Sequence, residues 1–200
     1  SVAWIGGAIA PALGGAGVAL TAWGLAEYFT RTRRMALPSI LLLLAFVGGI
    51  FAAALGLFFG DTGPRGDPTV FDGLKLTGAG LLAASGAFAH WRRFRVPITI
   101  AAGAAAAVAT ALGLLVAVVP GIVQNLSPLL LVAGIAVFAA AMAWDMSDRE
   151  RLTRRSDVAF WLHLLAAPLI VHPVFNMLGV FGNNLTTANA AMVLILYVVL

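Results

Sequence analysis

The sequence contains no cysteine, and charged residues make up only 10% of its 200 positions. The first absence removes disulfides, thiol catalysis and thiolate metal sites together. The second excludes an ordinary soluble domain, in which roughly 25% of residues are charged. Hydrophobic residues reach 62%, too many for a disordered or fibrous chain. Familiar catalytic signatures are missing as well: there is no HExxH, no GxSxG, no P-loop and no dinucleotide-binding glycine pattern between a strand and a helix. The apolar runs lack the two-residue alternation of membrane barrel strands. No basic segment precedes the first run as it would in a signal peptide. What remains is an all-α, polytopic transmembrane helix bundle whose main partner is the lipid bilayer.

A hydrocarbon core about 30 Å thick takes about 20 apolar residues of helix. On that measure the spans run from Val2 to Phe29, Leu37 to Phe59, Leu74 to Trp91, Val96 to Val119, Leu126 to Trp144 and Val158 to Val180. A seventh begins near Ala188 and is cut off after 13 residues. The first is long enough to tilt or to break near Pro11. Ser1 is not an initiator methionine and Leu200 lies inside an apolar run, so residues 1–200 read as one transmembrane domain excerpted from a longer polypeptide.

The net charge of +4 does not mark a nucleic-acid binder, because the basic residues fall in short clusters between apolar runs rather than on one solvated face. Alternate loops carry Arg31, Arg33 and Arg34, then Arg92, Arg93 and Arg95, then Arg149, Arg151, Arg154 and Arg155; the other side has only Arg65 and Lys75. Lysine and arginine concentrate on the cytoplasmic side of membrane proteins. The pattern therefore predicts cytoplasmic arginine loops and an outer Ser1. All five tryptophans lie near span ends, as an aromatic belt would place them.

The loops offer modest chemistry. The segment GDTGPRGDPTVFDG contains an Arg65-Gly66-Asp67 tripeptide and three aspartates, Asp61, Asp67 and Asp72, without calcium-loop spacing. Two glycosylation triplets, at Asn125 and Asn184, hug the proposed spans. In DMSDRERLTRRSD, helical geometry would pair Asp145 with Arg149 and Glu150 with Arg154. That predicts a solvated connector, with docking of an anionic lipid or a partner as the sharper reading.

The chain also repeats itself. Arg33-Arg34-Met35-Ala36-Leu37-Pro38 is matched 59 residues later by Arg92-Arg93-Phe94-Arg95-Val96-Pro97, and Ala54-Leu55-Gly56-Leu57 recurs as Ala111-Leu112-Gly113-Leu114. The unit would be a two-helix hairpin of about 60 residues in constant orientation, unlike the inverted repeats of many transporters. Small residues at four-residue spacing (Gly48, Ala52, Gly56 and Gly60; Gly103, Ala107 and Ala111) suggest helix–helix seams.

Ionisable groups deep in a bilayer are functional candidates, and no Asp, Glu, Lys or Arg lies well inside a span. The sixth span is the exception among polar residues: His163, Pro168, His172-Pro173 and Asn176. His172 and Asn176 share one face and are expected to look into the bundle near the midplane, as a ligand or substrate site; His163 would join them if the helix broke at Pro168. The competing reading is structural. Pro168 and Pro173 free the carbonyls of Leu164 and Leu169, and histidine and asparagine donors would satisfy them. His90, beside Trp91, is expected at the membrane interface.

Two stretches, WGLAEYFTRTRRMALPSI (Trp23–Ile40) and RRSDVAFWLHLLAAPLIVHPVF (Arg154–Phe175), resemble a family of bacterial inner-membrane proteins with repeated hydrophobic hairpins, to which no activity is attached. The resemblance implies a bacterial inner membrane and transfers no site residues. We expect a non-catalytic membrane module (scaffold, sensor or complex subunit) without metal or cofactor, assembling with membrane-protein partners or with itself. The alternative is a carrier for a small or lipidic substrate, using His172, Asn176 and His163.

Overall fold

A computed structural model of the chain describes residues 2–60, 69–119, 121–179, 191, 192 and 194. Within them six long α-helices follow one another: α1 (Val2–Ala26), α2 (Ala36–Phe59), α3 (Val70–Phe94), α4 (Ile98–Val118), α5 (Leu126–Met146) and α6 (Arg154–Met177). A π-helical turn, Glu27–Thr32, extends α1, and a 3₁₀ turn, Ile122–Asn125, leads into α5. The helices α2, α4, α5 with its leading turn, and α6 are long and apolar enough to cross a membrane. The Arg65 tripeptide, Asp61, Asp67, the Asn184 triplet and nearly all of the proposed seventh span lie outside the described residues.

Local chemistry sets the boundaries. Thr69 and Asp72 form a reciprocal capping box on α3: the Thr69 hydroxyl accepts the Asp72 amide at 3.2 Å, and Asp72 accepts the Thr69 amide at 2.9 Å. This starts α3 at Val70, four residues before the first apolar residue of the predicted span. Pro38 sits in the first turn of α2 and Pro97 just before α4, where a missing amide hydrogen costs nothing. Neither Pro11 nor Pro168 breaks its helix; α1 and α6 run through them.

The connector between α5 and α6 departs from expectation. Residues 147–150 form a turn, so Asp145 reaches Arg151 at 4.0 Å, rather than Arg149. The buried carboxylate of Asp148 organises the turn, accepting the Leu152 amide at 3.1 Å, the Thr153 amide at 3.0 Å and the Thr153 hydroxyl at 2.7 Å. The hydrogen bond from the Thr153 side chain, with those from backbone amides, holds its pKa below the usual 3.8.

The helices pack as three antiparallel pairs, α1 with α2, α3 with α4 and α5 with α6; α2 then packs on α3, and α4 on α6. Every turn within a pair lies at one end of the bundle, which we term the arginine end. Each of these turns places an arginine in the left-handed backbone region: Arg34 (φ 52°), Arg95 (φ 53°) and Arg151 (φ 53°).

Small residues at seven-residue spacing form the seams. They are Ala12, Ala19 and Ala26 on α1; Gly49 and Gly56 on α2; Gly73, Gly80 and Ala87 on α3; Ala106 and Gly113 on α4; Gly134 and Ala141 on α5; and Ala159 and Ala166 on α6, all buried. Seven is the period of helices that wind around each other left-handedly. At these points backbones touch. A Cβ on Gly49 would lie 2.8 Å from the Ala19 nitrogen, and one on Gly113 2.6 Å from the Thr77 nitrogen. The anticipated four-residue ridges are therefore not the seams. Gly48 has open space around it, Ala52, Ala107 and Ala111 are exposed, and Gly103 makes only an ordinary 3.7 Å contact with Ala87. Only Gly56 of the first ridge lies in a seam.

The packing is inverted relative to a soluble protein. Among the described residues, fourteen of the twenty buried apolar side chains are alanine. Leu13, Leu20, Leu57, Phe71, Val118 and Phe160 are each more than half exposed. Water would oppose that arrangement, whereas lipid tails solvate leucine and phenylalanine and leave close backbone approach to hold the helices together.

Candidate functional site

The three polar residues singled out on α6 do not converge. Because α6 is continuous, His163 and His172 stand nine residues apart, about 13 Å along the axis and on opposite sides. His172 and Asn176 are exposed rather than turned into the bundle. Asn176 lies one residue before the end of α6, not at mid-depth, and its Nδ2 donates to the Ser127 hydroxyl at the start of α5, at 2.7 Å. His163 is half-buried and donates from Nδ1 to the Ala159 carbonyl at 2.8 Å, with its ring edge-on to Phe138. The Leu169 carbonyl, freed by Pro173, meets α5 at Gly134, where a Cβ would come within 2.9 Å of that oxygen.

The histidine the structure singles out is His90, expected at an interface but fully buried. Trp23 of α1, Phe46 of α2 and Phe94 of α3 surround it, with ring centroids 6.1, 5.8 and 4.5 Å from the imidazole. Trp23 in turn touches Phe46 at 4.9 Å and Phe94 at 5.2 Å. From α4, the Thr99 hydroxyl lies 3.4 Å from His90 Nδ1, while Nε2 has no hydrogen-bond partner among the described residues. Four helices therefore meet around one imidazole. A sequence signal for this exists: Ala79, Ala83, Gly86 and His90 follow a four-three-four spacing, so His90 extends a buried track of small residues on α3. Along the chain its neighbour Trp91 signals an interface instead, and the two adjacent residues differ in burial.

Two cavities of similar size flank the bundle's interior. At the arginine end a vestibule of about 720 Å³ is lined by Arg31, Arg34, Arg93, Arg95 and Arg154, with Asp157 as its acidic member. Behind it, Glu27 accepts both Nε and Nη2 of Arg93, at 2.7 and 2.9 Å, and pairs with Arg31 at 3.4 Å. The vestibule's apolar wall includes Ile40, Val96 and Trp161. At the opposite end a cavity of about 660 Å³ is almost wholly apolar, lined by Leu55, Phe59, Leu76, Leu112, Val116 and Leu130, with Asp72 its charged member. Neither cavity includes His163, His172 or Asn176 in its wall.

Among the described residues no three histidine or carboxylate side chains cluster with metal-ligand geometry. No protein-family model matches this sequence, and no curated protein or solved structure matches it.

Proposed function

We propose that this chain is a non-catalytic membrane module, a helical scaffold, sensor or complex subunit of the bacterial inner membrane, with its arginine end in the cytoplasm. The observation that carries the reading is the inverted packing: alanine and glycine inside, leucine and phenylalanine outside. On this reading α1 and α3 also cross, giving six complete spans, with a seventh starting near residue 188. The concentration of ten arginines at the pair turns supports the orientation. The left-handed arginine shared by all three turns supports descent from one repeated hairpin, and the resemblance of Trp23–Ile40 and Arg154–Phe175 to bacterial inner-membrane proteins supports the location.

The absence of native cysteine makes a direct test available. Single variants Ser147→Cys, in the last pair turn, and Val70→Cys, at the opposite end, would be expressed in bacteria and treated with a membrane-impermeant maleimide. We expect intact cells to label Val70→Cys only, and broken cells to label both. Labelling of Ser147→Cys alone from outside inverts the topology, and release of the protein by alkaline wash removes the membrane reading altogether.

The apolar cavity favours a second reading, a carrier for a lipidic substrate, seated between α2 and α5 rather than beside His172. Apolar lining of this size suits an acyl chain. Co-purified lipid displaced by Leu112→Trp would support it.

A further inference from the structure

We propose that the arginine-end vestibule is a binding site for the phosphate headgroup of an anionic phospholipid. The inference rests on the preceding reading, which sets this end at headgroup depth, but the site is argued from its own geometry.

The vestibule holds more positive charge than the fold needs. Cations are favourable at helix C-termini and unfavourable at N-termini. Arg31 and Arg93 obey this rule: they stand in the last turns before the pair turns and share the carboxylate of Glu27. Arg95, the C-cap of α3, and Arg34, just past the π-helical extension of α1, are likewise at helix C-termini, whereas Arg154 is the first residue of α6. The N-termini of α2, α4 and α6 reach the same cavity, and its five arginines outnumber the nearby carboxylates of Asp157 and Glu27. Arg34 and Arg95 further adopt a left-handed backbone that residues with a Cβ seldom take. Neither of these two side chains has an ion-pair partner among the described residues; Arg154 donates to the Arg95 carbonyl at 3.3 Å. An anion with several acceptor oxygens satisfies the guanidinium groups and the helix N-termini at once, since both match phosphate.

The apolar part of the wall selects a lipid over a free anion. Ile40, Val96 and Trp161 line the same cavity as the arginines, giving it the two-sided chemistry of a glycerophosphate joined to acyl chains. Basic pockets between membrane helices on the cytoplasmic side have this composition.

The test uses the full chain purified in a non-ionic detergent. Native mass spectrometry and thermal melting are followed while phosphatidylglycerol, phosphatidylcholine or inorganic phosphate is added. We expect one phosphatidylglycerol to be retained and to raise the melting temperature, with phosphatidylcholine and inorganic phosphate giving no comparable shift. The double variant Arg34→Asn/Arg95→Asn removes charge while keeping a residue that tolerates the left-handed backbone, and should weaken the lipid at least about tenfold. Arg149→Gln/Arg155→Gln, an equal charge change outside the cavity wall, should bind as the parent does. Equal binding of the two lipids, an unimpaired double variant or an equivalent shift from inorganic phosphate would each overturn the proposal. Failure of the membrane reading is seen separately, in the alkaline wash.

Discussion

Contacts within a helix pair and contacts between pairs use opposite chemistry. Inside α1–α2 and α3–α4, glycine and alanine bring backbones together, with the hydroxyls of Thr77 and Thr110 set against the seam glycines of α3–α4. Where the first two pairs meet near the arginine end, the contact is made by Trp23, Phe46, Phe94 and the imidazole of His90. The within-pair seam joins neighbours in sequence and tolerates no added atom, whereas the junction is built of large, shaped side chains with one unsatisfied nitrogen. In lipid, dispersion between closely approaching backbones holds the first, and aromatic edge and face contacts hold the second. The difference implies that pairs form as units and that their mutual arrangement is the more adjustable feature.

The largest expected effect tests the junction. His90→Ala should remove the centre of the aromatic cluster and destabilise the chain by about 2–4 kcal/mol, read as a lowered melting temperature in detergent. His90→Phe should restore most of that loss, because it fills the space and eliminates the unpartnered Nε2. If His90→Phe is as damaging as His90→Ala, the Thr99 contact rather than ring packing governs the junction, and the contrast with the seams weakens.

A smaller effect tests the seam. Gly49→Ala must push α1 and α2 apart and should cost about 1–3 kcal/mol. Gly48→Ala points into open space and should be neutral or stabilising by up to about 1 kcal/mol, since alanine favours helix. Equal melting temperatures for the two variants would refute the seven-residue register.

The smallest concerns the third pair, whose turn relies on a carboxylate. Asp148 has a folded-state pKa depressed below 3.8, so its contribution is fully present above that value and is lost as the pH falls through the folded-state pKa. Exchange of the Leu152 and Thr153 amides should therefore keep its intrinsic pH dependence from neutrality to about pH 4 and gain an extra acceleration only below it. Asp148→Ala should show faster exchange at neutral pH, with the amides of the first two turns unaffected. A uniform response across the three turns would show that the carboxylate is incidental.

These contrasts also mark how far the sequence could be read. The six helices fall where the apolar runs placed them, because hydropathy and length act along the chain; the largest boundary errors, at Val70 and at Arg154, came from caps formed by polar residues outside the runs, Thr69 with Asp72 and Thr153. The candidate site was less legible. His163, His172 and Asn176 stood out as polar residues on an apolar background, but whether such a residue meets a cavity depends on its neighbours' helices. His90 went unnoticed as a site because its partners Trp23, Phe46 and Thr99 come from three other helices.

The sequence by itself determined the all-α class, the placement of charge at helix ends and the concentration of arginine at one end of the bundle. Each follows from composition and from order along the chain. Tertiary structure alone decided which face of each helix became a seam. Gly48 and Gly49 are equally small, and a rotation of about 100° separates a surface position from a backbone contact. In a chain with small residues on every helical face, that rotation is set by the partner helix. The same packing buried His90, gathered arginines from three separate turns around one vestibule, and left His172 on the surface.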